Sequence, residues 1–554
     1  MKRASLYILV SALCLCHSCN YLDVDESTGM DQDYVYSYFD EAKKTVTHIY
    51  GYLPSDWGSI GGALRESATD NAVHVWSSSA IYGFYDGSWS ANNPLDNVWG
   101  TYYTAIRAAN LFLKTFSLER FEKFENNSDY AEQIRMAEYY PYEVRFLRAF
   151  FYFELIKRYK DVPLVEEVLT TDEVNSLTQK SFDEVVEFIV SECDDVMDKL
   201  PVSYASMPFS ETGRITRGAC MALKSRVLLY AASPLFNGGT DVAAKYERAA
   251  SAAWDLITMA KTQGWYSIVA NEVLWGNGNT ALNSKQLILE RRGANSNSFE
   301  INNFPFGFEN ANTGTCPSQN LVDAFAMSDG SAFDWENPAE AANPYANRDP
   351  RLAQTVLYNG SLWQQQTIET FYNGRNGQPQ NGATLTGYYL KKMLDESISL
   401  ATGNQTSKPH HFILFRYAEI LLNYAEAMAE WQGPTYTDDL YTMSAVDAIN
   451  EVRSRTGMSP VPAGITAEDF KTLYRNERRV ELAFEDHRFW DIRRWKIGPE
   501  TSKIYGVEVT KNGSTLTYKR VLVQSRIWDD KMYLYPIPAA ERLKNPRLVQ
   551  NPGW

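Results

Sequence analysis

At 554 residues the chain has room for two or three ordinary domains or for one large core. A formal net charge of −15, with no concentrated basic stripe, argues against nucleic acid as a partner. Aromatic residues make up 14% of the sequence, more than a core needs, which leaves Tyr and Trp over for surfaces that touch a ligand.

The first residues read as a targeting segment. Lys2 and Arg3 precede an apolar run at 6–15 that is too short to cross a bilayer. Small and polar residues lead to Cys19, with Ser18 immediately before it. That order fits a signal peptide of residues 1–18 and a cysteine that is acylated and becomes the new N-terminus. A plain secretory signal, with Cys19 left as a thiol, is the alternative. No later stretch is long and apolar enough to span, so the chain is expected to be anchored to a membrane rather than to cross it. Cys193 and Cys220 fall in helical patterns and read as small buried residues. With Cys316 they make an odd set of thiols, so no disulfide framework is expected.

Residues 54–94 are irregular and rich in Gly, Asn, Ser and Trp. Residues 131–159 carry a wide apolar stripe through Phe146, Phe150 and Phe153, which predicts one long helix. A helix at 182–200 opens on a capping box of Ser181 and Glu184. Residues 216–232 and 243–261 make a further pair, separated by Pro234 and Gly238-Gly239. Residues 264–387 are irregular again, interrupted by a short strand at 286–290. Helices are expected at 412–431, 444–455 and 467–496, and a strand at 516–523. The runs 222–231 and 416–425 share a theme of Ala, Leu and Tyr that points to paired, repeat-like helices. Irregular segments so long and so aromatic are expected to be ordered and functional, not disordered.

The most constrained stretch is 473–496, LYRNERRVELAFEDHRFWDIRRWK. Val480, Ala483 and Phe484 fall on one helical face, and Phe489, Trp490, Ile492 and Trp495 add bulk that belongs out of water. Arg475, Arg478, Arg488 and Arg494 are threaded among Glu477, Glu481, Glu485 and Asp491. Charges taken out of water must be paired, and the Arg fork fits carboxylates and aromatic faces. These residues therefore read as structural ion pairs within the stretch. Glu477, Glu481 and Glu485 recur every four residues, but no His stands three residues after any of them and His-Glu-x-x-His is absent, so no metal site is expected.

The order Arg475, Glu477, Arg478, Glu481, Glu485, Arg488, Asp491, Arg494, Trp495 resembles the signature of the SusD/RagB family, surface glycan-binding lipoproteins of Bacteroidetes nutrient uptake. The later run Tyr533-Leu534-Tyr535-Pro536-Ile537-Pro538 and the closing Asn551-Pro552-Gly553-Trp554 resemble the family too, as do Cys19, Leu22 and Asp23. The resemblance implies a mainly α fold: a tetratricopeptide-like helix-pair scaffold with long irregular loop insertions and a few short strands. It implies one globular unit, with an N-terminal region 19–230 and a C-terminal region 231–554. It also implies lipid anchoring at the outer-membrane surface, with Asp23, Asp25 and Glu26 as an acidic export tag. The implied work is capture of an oligosaccharide and its delivery to a SusC-like, TonB-dependent transporter, with no cofactor and no catalysis.

Family glycan sites are built from the irregular loops. Side-chain chemistry selects Asp70, Trp76, Tyr82, Trp89 and Asn93 in the first of them, with Trp76 and Trp89 as two ring faces for successive sugars. It selects Trp275, Trp335 and Arg375 in the second. Flat aromatic faces suit the C–H face of a sugar ring, and Asp, Asn and Arg direct hydrogen bonds to its hydroxyls. Each loop Trp has an equally plain reading as the anchor of its own loop. A RagB-like peptide-binding uptake protein, a surface glycoside hydrolase with two carboxylates, and a tetratricopeptide adaptor stay open as other functions. The aromatic insertions argue against the adaptor.

Overall fold

The computed structural model describes residues 32–270, 274 and 282–554, so Cys19 and Trp275 lie outside the described residues. Helices packed in chain order form the scaffold. Trp99–Thr115 lies on Tyr140–Tyr159, which lies on Phe182–Met197, followed by Arg217–Ala232 and Val242–Gln263. Tyr417–Trp431 continues the array, with Ala445–Ser454 and Ala467–Glu481 both packed on it. Local chemistry sets the ends. Ser181 and Glu184 form a reciprocal capping box, as do Ser444 and Asp447, and Thr216 caps the Ala219 N–H. Gly264, left-handed at φ 70°, closes Val242–Gln263.

Three expected helices are divided in the structure. The stretch 131–159 is two helices, Tyr130–Ala137 and Tyr140–Tyr159, because Pro141 opens the second and has no N–H to continue the first. The stretch 412–431 begins as a strand, Lys408–Arg416, whose Phe-Ile-Leu-Phe run pairs antiparallel with Leu287–Ser296. The helix follows at Tyr417. The stretch 467–496 breaks after Glu481, where Phe484 and Asp486 are left-handed, and resumes as Arg488–Arg494. The expected strand at 516–523 is Thr515–Ser525, paired with Lys503–Asn512 in a hairpin.

The main core draws residues from Tyr36 to Leu548, with Phe146, Phe150, Phe151 and Phe153 wholly buried. Burial of each such ring contributes about 1.5–3 kcal/mol. The second irregular segment folds on a core of its own, in which Phe304, Cys316, Leu357, Trp363, Ile368 and Tyr389 meet. Cys193, Cys220 and Cys316 are buried free thiols. No helix among the described residues is long and apolar enough to cross a membrane.

Candidate ligand-binding site

The loops are positioned by the charged stretch. Its acids are paired, but mainly to cations far away in the chain. Glu477 takes Arg351 at 2.6 Å and Arg453 at 3.3 Å. Glu481 takes Arg351 at 2.9 Å, Arg416 at 2.7 Å and also Arg455. Glu485 takes Arg416 at 2.6 Å and Lys392 at 2.8 Å. Burial pushes the Glu481 carboxyl up, but Arg455, Arg416, Arg351 and Lys392 together outweigh it and hold it well below the usual range. Pairing within the stretch is confined to Asp491, which joins Arg478 at 3.0 Å and Arg494 at 2.7 Å. Arg494 also holds Glu426 at 2.5 Å, and Arg475 lies over the Trp495 ring, 4.8 Å from its centre.

Arg479 and Arg488 carry the frame to the first irregular segment. They hold Asp70 at 2.8 and 2.9 Å, and Arg479 also donates to the Asn71 side-chain oxygen at 2.7 Å. Burial opposes ionisation of Asp70, yet the two guanidinium groups bring its pKa down to about 2. Strand Ala72–His74 starts there and pairs antiparallel with Thr315–Pro317, His74 opposite Thr315. The ribbon continues through the Val75 N–H, which donates to the Gly314 carbonyl at 3.0 Å. Trp76 stands at its end. The two helices of the signature stretch thus aim a loop aromatic through a carboxylate and a two-stranded ribbon.

Trp76 is half-buried, and its indole N–H donates to the Asn312 carbonyl at 2.8 Å. One part of its ring lies against Gly62, where a Cβ would come within 2.5 Å of it at a φ of +86°. The segment 304–314 then reaches Arg375. The Arg375 guanidinium sits 5.9 Å from the centre of the Phe308 ring and donates to Gln366 at 2.6 Å and the Thr367 carbonyl at 2.7 Å. Asn310 ties the same segment to the Leu400 carbonyl at 2.7 Å, and the Glu309 carboxylate accepts from the Thr402 N–H at 2.9 Å. The segment 304–314 thus meets Trp76 through Asn312 and Arg375 through Phe308, with Tyr372, 55% exposed, three residues before Arg375 in the chain. Asn310 and Asn312 carry no mark in the sequence. They enter through tertiary contact alone.

The structure corrects other members of the set. Asp70 is buried with both oxygens taken by guanidinium groups, so it offers nothing to a sugar. Trp89 is 2% exposed, enclosed by Phe84, Tyr535 and Trp554, and presents no ring face beside Trp76. Tyr82 is half-buried and directs its hydroxyl to the His74 carbonyl at 3.0 Å, behind the ribbon. Asn93 is exposed in a turn with Ser90, next to the C-terminal segment that begins at Ala539. Trp335 is half-buried beside the hairpin and donates to Asp323 at 3.1 Å, in surroundings separate from Trp76. Of the chosen residues, Trp76 and Arg375 both contact the segment 304–314.

Two family descriptions divide the chain. Residues 20–229 match "Starch-binding associating with outer membrane", and residues 271–554 match the SusD family. A SusD-like protein of Formosa agariphila is 21% identical over 534 residues, covering 90% of each chain. Among solved structures, a SusD-like protein of Bacteroides fragilis is 29% identical with a TM-score of 0.77, over 95% of this chain and 99% of its own. A SusD-like carbohydrate-binding protein of the same organism is 26% identical with a TM-score of 0.75, over 93% of this chain and 100% of its own.

Proposed function

The chain belongs to the SusD family, and from that premise we propose that it is a surface lipoprotein that binds an oligosaccharide and hands it, uncleaved, to a SusC-like, TonB-dependent barrel. The observation that carries the reading is the loop face of Trp76, Phe308 and Arg375, in a chain similar along its length to a carbohydrate-binding protein. Trp76 supplies a ring face, and the Arg375 guanidinium, with N–H groups beyond those given to Gln366 and Thr367, supplies donors. Trp76 and Phe308 are half-buried and Tyr372 is 55% exposed, so ring surface is left for a glycan. The Thr402 hydroxyl and N–H hold the Glu309 carboxyl below its usual range. Acylated Cys19 would hold the body at the outer membrane, and the regions 19–230 and 231–554 would act as one unit.

The test is calorimetry of the mature chain with a panel of neutral oligosaccharides and peptides, with the ligand recovered and sized afterwards. Saccharide binding with unshortened glycan is the expected result. Shortened glycan would mean a hydrolase, and binding of peptides alone would mean a peptide carrier.

A further inference from the structure

On the helical side, away from the loop face, a concavity of about 360 Å³ opens beside helix Phe39–Tyr50, the start of Tyr140–Tyr159, the turn at 211–214 and strand Leu287–Ser296. Its volume falls at the low end of small-molecule sites, about 300–1,000 Å³, enough for a sugar ring. The lining is polar, and its acids are all occupied. Glu143 accepts from the Tyr50 hydroxyl at 2.5 Å, the Tyr204 hydroxyl at 2.9 Å and Arg214 at 2.5 Å. Glu211 takes Lys43 and, at 3.0 Å, Arg214, while Glu290 takes Arg292 at 2.8 Å.

Among the described residues, one cation of the lining has no carboxylate partner. Arg291 is half-buried and donates to the Ser55 hydroxyl at 3.2 Å, a neutral partner. Burial pulls its pKa below the usual guanidinium range, the mark of a charge without compensation. A guanidinium held so, with only a neutral hydroxyl as partner, fits a carboxylate brought by a ligand. Beyond Gly213 the groove runs into a second concavity of about 540 Å³ rimmed by Trp265, 40% exposed, an aromatic face on which an adjoining sugar ring can stack. Gly213 must stay bare at this neck: at φ +89° a Cβ would come within 2.8 Å of the Arg292 guanidinium.

We propose that this pocket is a second saccharide site, separate from the loop face, that takes an acidic sugar by pairing the sugar carboxylate with Arg291. The inference rests on the saccharide-binding reading above. Saturation-transfer NMR on the full-length mature chain tests it, with glucuronate and galacturonate set against glucose, galactose and acetate. The uronates should bind, and should do so more tightly than the neutral sugars or acetate. Arg291→Gln, which keeps a donor for Ser55, should weaken uronate binding at least tenfold. Thr47→Trp, a bulky side chain at the exposed mouth that leaves Arg291 untouched, should weaken it as well. Uronates and neutral sugars bound alike, acetate bound as tightly as the uronates, or Arg291→Gln without effect would each overturn the proposal. Neutral oligosaccharide binding that Trp76→Ala removes, with uronates ignored, sinks this inference and leaves the family reading standing. No saccharide bound at either face sinks both.

Discussion

Replacing Trp76 or Trp89 by alanine removes the same indole from opposite surroundings. Trp76 is held by one hydrogen bond and a glycine contact with part of its ring at the surface, so its loss should lower glycan affinity by about 1–3 kcal/mol and leave melting nearly unchanged. Trp89 is packed among Phe84, Tyr535 and Trp554, so its loss should cost about 3–5 kcal/mol of stability instead. Calorimetry and melting followed by circular dichroism, run on both variants, check the split; equal binding by Trp76→Ala would remove it from the site. Glu66 offers a second test at this scale. Burial pushes its carboxyl up to about 7, with the Asn71 amide at 2.6 Å only partly opposing. Its folded value lies above its unfolded one, so the native state binds the extra proton. The resulting stability is complete below the ordinary carboxyl pKa, about 4.3, and is lost as pH rises through 7. Buried His74 has the reverse sign: its pKa is pushed down to about 4, so its contribution is lost as pH falls toward that value. The difference between wild type and Glu66→Gln isolates Glu66. Relative to wild type, the variant should gain up to about 3 kcal/mol between pH 5 and pH 8 in urea unfolding, and a constant difference would mean Glu66 does not titrate in that window.

Among elements, the helix Ala467–Glu481 matters for what its acids and guanidiniums reach. Glu481→Ala would take one carboxylate from Arg351, Arg416 and Arg455 at once, leaving Glu477, Glu485 and Asp349 in the cluster, which should cost about 3–5 kcal/mol and show as lost expression or a lower Tm. A stable variant that merely failed to bind glycan would turn this frame into a binding site. Asp70→Ala should act differently, loosening the start of the ribbon that carries Trp76, so affinity and stability fall together. This coupling marks how far the sequence could be read. The arginines and acids of 473–496 announced buried pairing, because no other arrangement suits such charge among Trp and Phe. Their partners were not legible: Arg351, Arg416 and Asp70 lie in distant segments, and nothing local ties them to the signature. The helix start at Ser181 could be read from capping chemistry alone. The strand at 408–416 could not, because Phe-Ile-Leu-Phe serves a buried helix as well as a strand. In the loops, composition located the aromatic surplus, but the choice between Trp76 and Trp89 turned on packing by Tyr535 and Trp554 from the far end of the chain.

For the whole molecule, the question is how a body with this helical core would be kept where glycan arrives. No described helix is long and apolar enough to cross a bilayer, and the anchored reading proposed above relies on chemistry added to the chain. Ser18-Cys19, placed after an apolar run, is the sequence feature suited to that chemistry. A single acyl chain binds a membrane only marginally and reversibly, whereas a cysteine that carries more than one holds firmly. Cys19→Ala should therefore leave the protein in the soluble fraction after cell breakage, while the purified variant keeps the glycan affinity of wild type, because the loop face is built from residues after 50. Growth on the cognate glycan should fall even though binding in solution is intact. Fractionation with a salt wash, calorimetry and growth curves on one strain separate the possibilities. A variant that stays in the membrane fraction after the wash would place the attachment elsewhere, in a partner or in another residue. A variant that is soluble, binds glycan and still supports full growth would mean that delivery does not depend on anchoring, and the handover to an outer-membrane barrel would have to be abandoned.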